Sequence, residues 1–117
     1  MATNRIRFIE KLIFECIDKF DDYKFAYEQM RAYLKTKDVL DKTNYCAIAE
    51  MVFIDMPAST TILKVSDESK SCEASIYQYR KYIIKAFYYF LAGRKNLPFS
   101  ADIEFDDIYK YFSTISF

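Results

Sequence analysis

Between Thr61 and Phe87 the chain reads TILKVSDESKSCEASIYQYRKYIIKAF. This is a short helical pattern, a polar turn and a long helical pattern, at the spacing of a helix-turn-helix. The second helix opens on small polar residues and then presents Gln78, Arg80 and Lys81. Short side chains permit close approach to a duplex, and long donors beyond them reach base edges and phosphates. For the two helices to clasp, Val65 must meet Ile76 and Tyr79 across the turn, with Ser66 as the small residue at the approach. The common form of the motif has glycine in the turn, where this chain has Lys70.

Local charge supports the same segment. Residues 59–96 hold seven basic residues (Lys64, Lys70, Arg80, Lys81, Lys85, Arg94, Lys95) against Asp67, Glu68 and Glu73. Residues 97–117 hold Asp102, Glu104, Asp106 and Asp107 against Lys110. The whole chain is neutral, with 17 basic and 17 acidic residues, which argues against strong non-specific DNA binding.

The elements that must position these residues are helices. A chain of 117 residues, 52% hydrophobic and 19% aromatic, can bury one core, so residues 1–117 read as a single domain. One glycine and two prolines are too few for the tight turns of an all-β domain. Asn4 can cap a first helix over about 5–20, with Ile6, Ile9, Ile13, Cys16, Ile17 and Phe20 on one face. Asp22 can cap a second over about 23–36, carrying Phe25, Ala26, Met30, Tyr33 and Leu34. Residues 36–43 read as a loop.

Asn44 starts a third, nearly all-apolar and therefore central helix, which Pro57 ends. Ser59 or Thr60 starts the fourth. The fifth begins at Ser71 or Cys72 and stops at Gly93, the only glycine and a good C-terminal cap. Its expected buried stripe is Ile76, Tyr79, Ile83, Ala86, Phe87 and Phe90. The C-terminal tail is expected to be extended, with one short helix near 106–112.

The order of parts resembles the second cyclin repeat of transcription factor IIB. The string CAIAEMVFI (Cys46–Ile54) stands where that repeat has its small-residue-rich central helix. Thr61, Val65 and Ile76, followed by YRKYIIKAF, stand at its helix-turn-helix, and LPFSADIEFDD at its tail. The resemblance covers roughly residues 5–107. The chain departs from a complete factor in having one repeat and no zinc ligands, and Met51, Val52 and Phe53 replace small residues.

The resemblance implies an all-α, single five-helix cyclin-like domain, with a helix-turn-helix formed by helices 4 and 5 and a short C-terminal tail. It implies a transcription-initiation module that binds double-stranded promoter DNA and the TATA-binding protein or RNA polymerase. By position, Glu73, Ala74, Ser75, Tyr77, Gln78 and Lys81 would face the major groove. Ser69, Lys70 and Ser71 would contact phosphate. Arg80 faces either phosphate or a partner protein, and periodicity does not decide between them.

The competing reading is a small α-helical, cyclin-like or viral adaptor that binds a host or polymerase subunit through Tyr77, Tyr88 and Tyr89 and never touches nucleic acid. The run FYYF, Phe87–Phe90, cannot lie on one side of a helix, so Tyr88 or Tyr89 is expected to be partly exposed. An enzyme is not expected. Histidine is absent, so Cys72 at a helix start has no imidazole base beside it, and the tail carboxylates read as a solvated acidic segment. No cofactor or metal is expected, because three widely spaced cysteines form no CxxC or Cys/His set. Reduced thiols and the absence of a long N-terminal apolar run point to an intracellular protein, nuclear if eukaryotic and cytoplasmic if archaeal or viral.

Overall fold

The structure, a computed structural model, describes residues 2–50, 53 and 73–114, with the side chains of 5–50, 53 and 77–114. All regular structure among them is helical: α1 (Ala2–Ile17), α2 (Asp21–Asp41), α3 (Tyr45–Glu50), α4 (Glu73–Lys95) and α5 (Phe105–Thr114). The fourth helix and the turn expected from the sequence lie outside the described residues.

In α1, Ile6, Ile9, Ile13, Cys16 and Ile17 are all buried, as the three- and four-residue spacing demands. Phe20 is not part of that face. Its extended backbone is the junction to α2, and its ring stays largely exposed. Asp22 is not the cap of α2. Phe20 holds that position with no side-chain cap bond, and Asp21 and Asp22 lie in the first turn, where carboxylates favour the helix dipole.

Residues 36–41 are helix rather than loop, so α2 runs to Asp41. The segment has no glycine or proline to stop it, and Lys37 pairs with Asp41 one turn on at 2.9 Å. The helix ends where Lys42 turns left-handed (φ 55°) and Thr43 N–H donates back to the Asp38 carbonyl at 3.2 Å.

The last turn of α2 also builds the start of α3. The Asp38 carboxylate accepts the backbone N–H of Tyr45 at 2.8 Å, that of Cys46 at 3.0 Å, and the Thr43 hydroxyl. Those amides open α3 and have no intrahelical partner, so a side chain from the preceding helix satisfies them. Asp38→Ala should cost about 1–2 kcal/mol, the size of a lost helix cap. Hydrogen exchange checks it: the Tyr45 and Cys46 amides should lose protection first. Unchanged exchange there would contradict the assignment.

α4 packs along α2 and touches α1, α3 and α5. Its buried stripe is Arg80, Ile83, Ile84, Phe87, Tyr88 and Leu91, a regular three-and-four spacing. The stripe inferred from sequence took Tyr79 where the structure has Arg80. Gly93 is not the C-cap either. The helix continues to Lys95, Asn96 adopts the left-handed conformation (φ 57°), and Leu97 N–H donates to the Ala92 carbonyl at 2.9 Å. Asparagine tolerates that conformation through its short polar side chain. After residues 97–104, the expected C-terminal helix forms as α5 and buries Ile108 and Phe112.

The core is rich in phenols. Burial pushes the Tyr23, Tyr45, Tyr82, Tyr88 and Tyr111 hydroxyls above their ordinary pKa, and Tyr82 is raised further by its hydrogen bond with Tyr33. A pKa raised in the folded state adds stability that is complete below the unfolded value, near 10, and is lost as pH rises through the folded value. Stability should therefore fall steeply only above about pH 10. The chain has 11 tyrosines and no tryptophan, so tyrosinate absorbance is unobscured. It should rise in two stages, the second coinciding with loss of helical circular dichroism. A single step with helicity retained would contradict these burials.

Candidate functional site

Arg80 is only 1% exposed, and its guanidinium forks onto Glu10 of α1, itself 3% exposed. Nε donates to Oε2 at 2.8 Å and an Nη donates to Oε1. Arg80 therefore contacts neither phosphate nor a partner. Its place on the core stripe brings the guanidinium to α1, where a carboxylate waits. Burial pushes the Glu10 carboxyl above the ordinary value, and the hydrogen bond and charge of Arg80 oppose this. The other guanidinium Nη has no partner among the described residues. The pair thus fixes where α4 lies on α1, at the expense of one donor left unsatisfied among the described residues.

The remaining sequence candidates scatter. Lys70 and Ser71 lie outside the described residues. Glu73, Ala74 and Ser75 form the first turn of α4. Tyr77 is half-buried against the core, and Gln78 is exposed. Lys81 is half-buried, with its ammonium 5.5 Å from the centre of the Phe105 ring. Tyr88 is not an interface residue: it is 3% exposed, and its hydroxyl donates to the Pro98 carbonyl at 2.8 Å. Tyr89, one residue on, is 53% exposed. Its ring meets Phe90 and Phe99 edge-on, each at 5.0 Å.

Tyr89, Phe90 and Phe99 are shared by two adjoining hollows, of about 750 and 570 Å³, which together make a groove along the outer side of α4. Phe25 and Tyr33 of α2 contribute to one flank and Phe99 to the other, with Ala86 and Gly93 among the α4 residues between them. Phe25, Tyr33, Tyr89 and Phe99 are all large apolar side chains left exposed. Three polar devices fix the walls. Arg94 stacks over the Phe25 ring at 4.6 Å and donates from Nε to Asp22 at 3.0 Å. The Tyr33 and Tyr82 hydroxyls share a hydrogen bond of 2.7 Å. Lys85 donates to the Ala101 carbonyl at 2.9 Å, tying α4 to the segment that follows Phe99.

An open groove of this volume with aromatic walls suits apolar side chains of another molecule, with the phenol tips left for hydrogen bonding. The described thiols, Cys16 and Cys46, are both pushed above the ordinary thiol pKa by burial. Among the described residues no three His, Cys, Asp or Glu side chains are grouped to hold a metal, and no helix is long and apolar enough to cross a membrane.

The sequence pattern of α2 groups Phe25 and Tyr33 with Ala26, Met30 and Leu34. The signal against it was present: Tyr23, Ala26, Tyr27, Met30 and Leu34 already complete that face, so Phe25 and Tyr33 fall on its flank. Phe99 carried no signal, because its place depends on how residues 97–104 fold back. No family model, no curated protein and no solved structure matches the chain.

Proposed function

We propose that this protein is a small α-helical interaction module whose working surface is the aromatic groove along α4. The observation that carries this reading is the pairing of a buried Arg80 with an exposed aromatic wall. Arg80, one of the cations expected at the DNA-reading end of the helix, is spent inside the molecule, and large apolar side chains stand outside it. Exposed contiguous aromatic surface of this kind marks an interaction site. The adaptor role expected through Tyr77, Tyr88 and Tyr89 is kept, with Tyr89 as its central residue and Tyr33, Phe25 and Phe99 in place of Tyr88.

A photo-crosslinking residue in place of Tyr89, compared with the same residue in place of Gln78, tests this in cells. The module reading expects one discrete adduct at position 89, identified by mass and abolished by Phe99→Glu. Adducts at 78 with none at 89 would overturn it.

A second reading is favoured by the exposure of Gln78 beside Lys81: a cyclin-like, transcription factor IIB-like domain that meets promoter DNA through the N-terminal half of α4. Gln78 would then read adenine and Lys81 guanine or phosphate. Retention on duplex DNA that falls steeply with salt, and falls again in Lys81→Glu, would support it. No retention at low salt would remove it.

A further inference from the structure

Gly93 is unexplained by the fold. It lies two residues inside the end of α4, its φ is not positive, and a Cβ there would meet nothing within 4 Å among the described residues. Glycine is among the least favourable residues in a helix interior, so a position that needs neither its φ nor its small size within the chain should hold another residue. Gly93 lines the groove beside Tyr89, Phe90 and Phe99. There the missing side chain would let the backbone of an occupant approach closely, which is the other use of glycine.

The charges lining the groove choose among occupants. Lys85 and Arg94 are both cations, and among the described residues no carboxylate lines either hollow. Arg94 is partly answered by Asp22, whereas among the described residues Lys85 donates only to the Ala101 carbonyl. A second copy of this chain would bring the same cations to the same surface. An acidic partner would complement them.

Resting on the interaction-module reading, we propose that the groove receives an acidic amphipathic helix of a partner protein. Its apolar face sits among Tyr33, Tyr89, Phe90 and Phe99, its backbone crosses α4 at Gly93, and its carboxylates meet Lys85 and Arg94. The α4 residues that line the two hollows run from Tyr82 to Arg94, about three turns, a span that matches the spaced anchors of a docked helix.

A displayed library of helical peptides tests the assignment on the full chain. Leucine is fixed at three- and four-residue spacing, and each polar position is Glu or Lys. Selected peptides should be rich in Glu, should shift the amide resonances of residues 82–96, and should bind about tenfold or more weakly to Gly93→Leu, a contact-sized loss. Gly93→Ala should raise Tm while weakening the same peptides; a raised Tm with unchanged affinity would overturn the close approach.

Lysine-rich peptides at the groove would overturn the acidic partner and leave the module reading standing. No peptide at the groove would overturn both. A concentration-dependent dimer that Gly93→Leu dissociates would place a second copy there and overturn the partner assignment.

Discussion

Arg80→Ala is expected to destabilise the fold by about 3–5 kcal/mol, far more than removal of a surface cation. It leaves the Glu10 carboxylate buried on α1 with its two hydrogen bonds gone. Glu10→Ala should cost a similar amount, because it strands the guanidinium. The pair Glu10→Leu with Arg80→Met should cost much less than either single change, since apolar residues of similar volume replace a desolvated ion pair at little net loss. Urea denaturation of the unaltered protein, Glu10→Leu, Arg80→Met and the double variant gives the cycle, and additive losses would contradict the pairing.

The sign with pH is also fixed. Glu10 is already raised by burial, and the two opposing influences of Arg80 vanish in Arg80→Ala. Its folded pKa then rises further above the unfolded value. The lost stability should return as pH falls toward the unfolded carboxyl value, near 4.5, and be absent at neutral pH. Arg80→Lys should recover only part of the loss, because an ammonium cannot make the two-pronged contact.

Phe87→Ala is the second large effect, expected at about 3–5 kcal/mol. Phe87 is fully buried, with the Tyr23 ring of α2 at 5.8 Å and the Phe53 ring at 6.3 Å. Truncation would open a cavity between α4, α2 and Phe53 and remove both ring contacts. The helices around it are held by other contacts and cannot collapse fully into the space. Phe87→Leu, which keeps most of the volume, should cost less than about 1.5 kcal/mol. Denaturant midpoints with unchanged m-values would measure the difference. A loss below about 1 kcal/mol for Phe87→Ala would contradict its place in the core.

The all-helical character was legible in the sequence because it rests on local periodicity. Ile6, Ile9, Ile13, Cys16 and Ile17 announce α1, and the acidic-aromatic tail announces α5. What escaped depends on tertiary partners. Arg80 occupies a core position on α4 by spacing alone, but a charged residue reads as surface until a buried carboxylate is found for it, 70 residues away. Residues 36–41 look like a loop by polarity, yet the i,i+4 ion pair and the left-handed stop at Lys42 make them helix. Glycine is the usual helix stop, but Asn96 takes that role and leaves Gly93 free to line the groove. The groove itself could not be read from the chain, since its flanks come from α2 and from the segment after α4.

The buried guanidinium of Arg80 seats α4 on α1 through Glu10. The Nε–H of Arg80, followed by nitrogen-15 NMR in water, tests this most directly. It should exchange as slowly as the amides of Ile83 and Phe87, and protection should vanish in Glu10→Gln. Exchange as fast as that of the exposed Arg94 would put the guanidinium back in solvent and contradict the account.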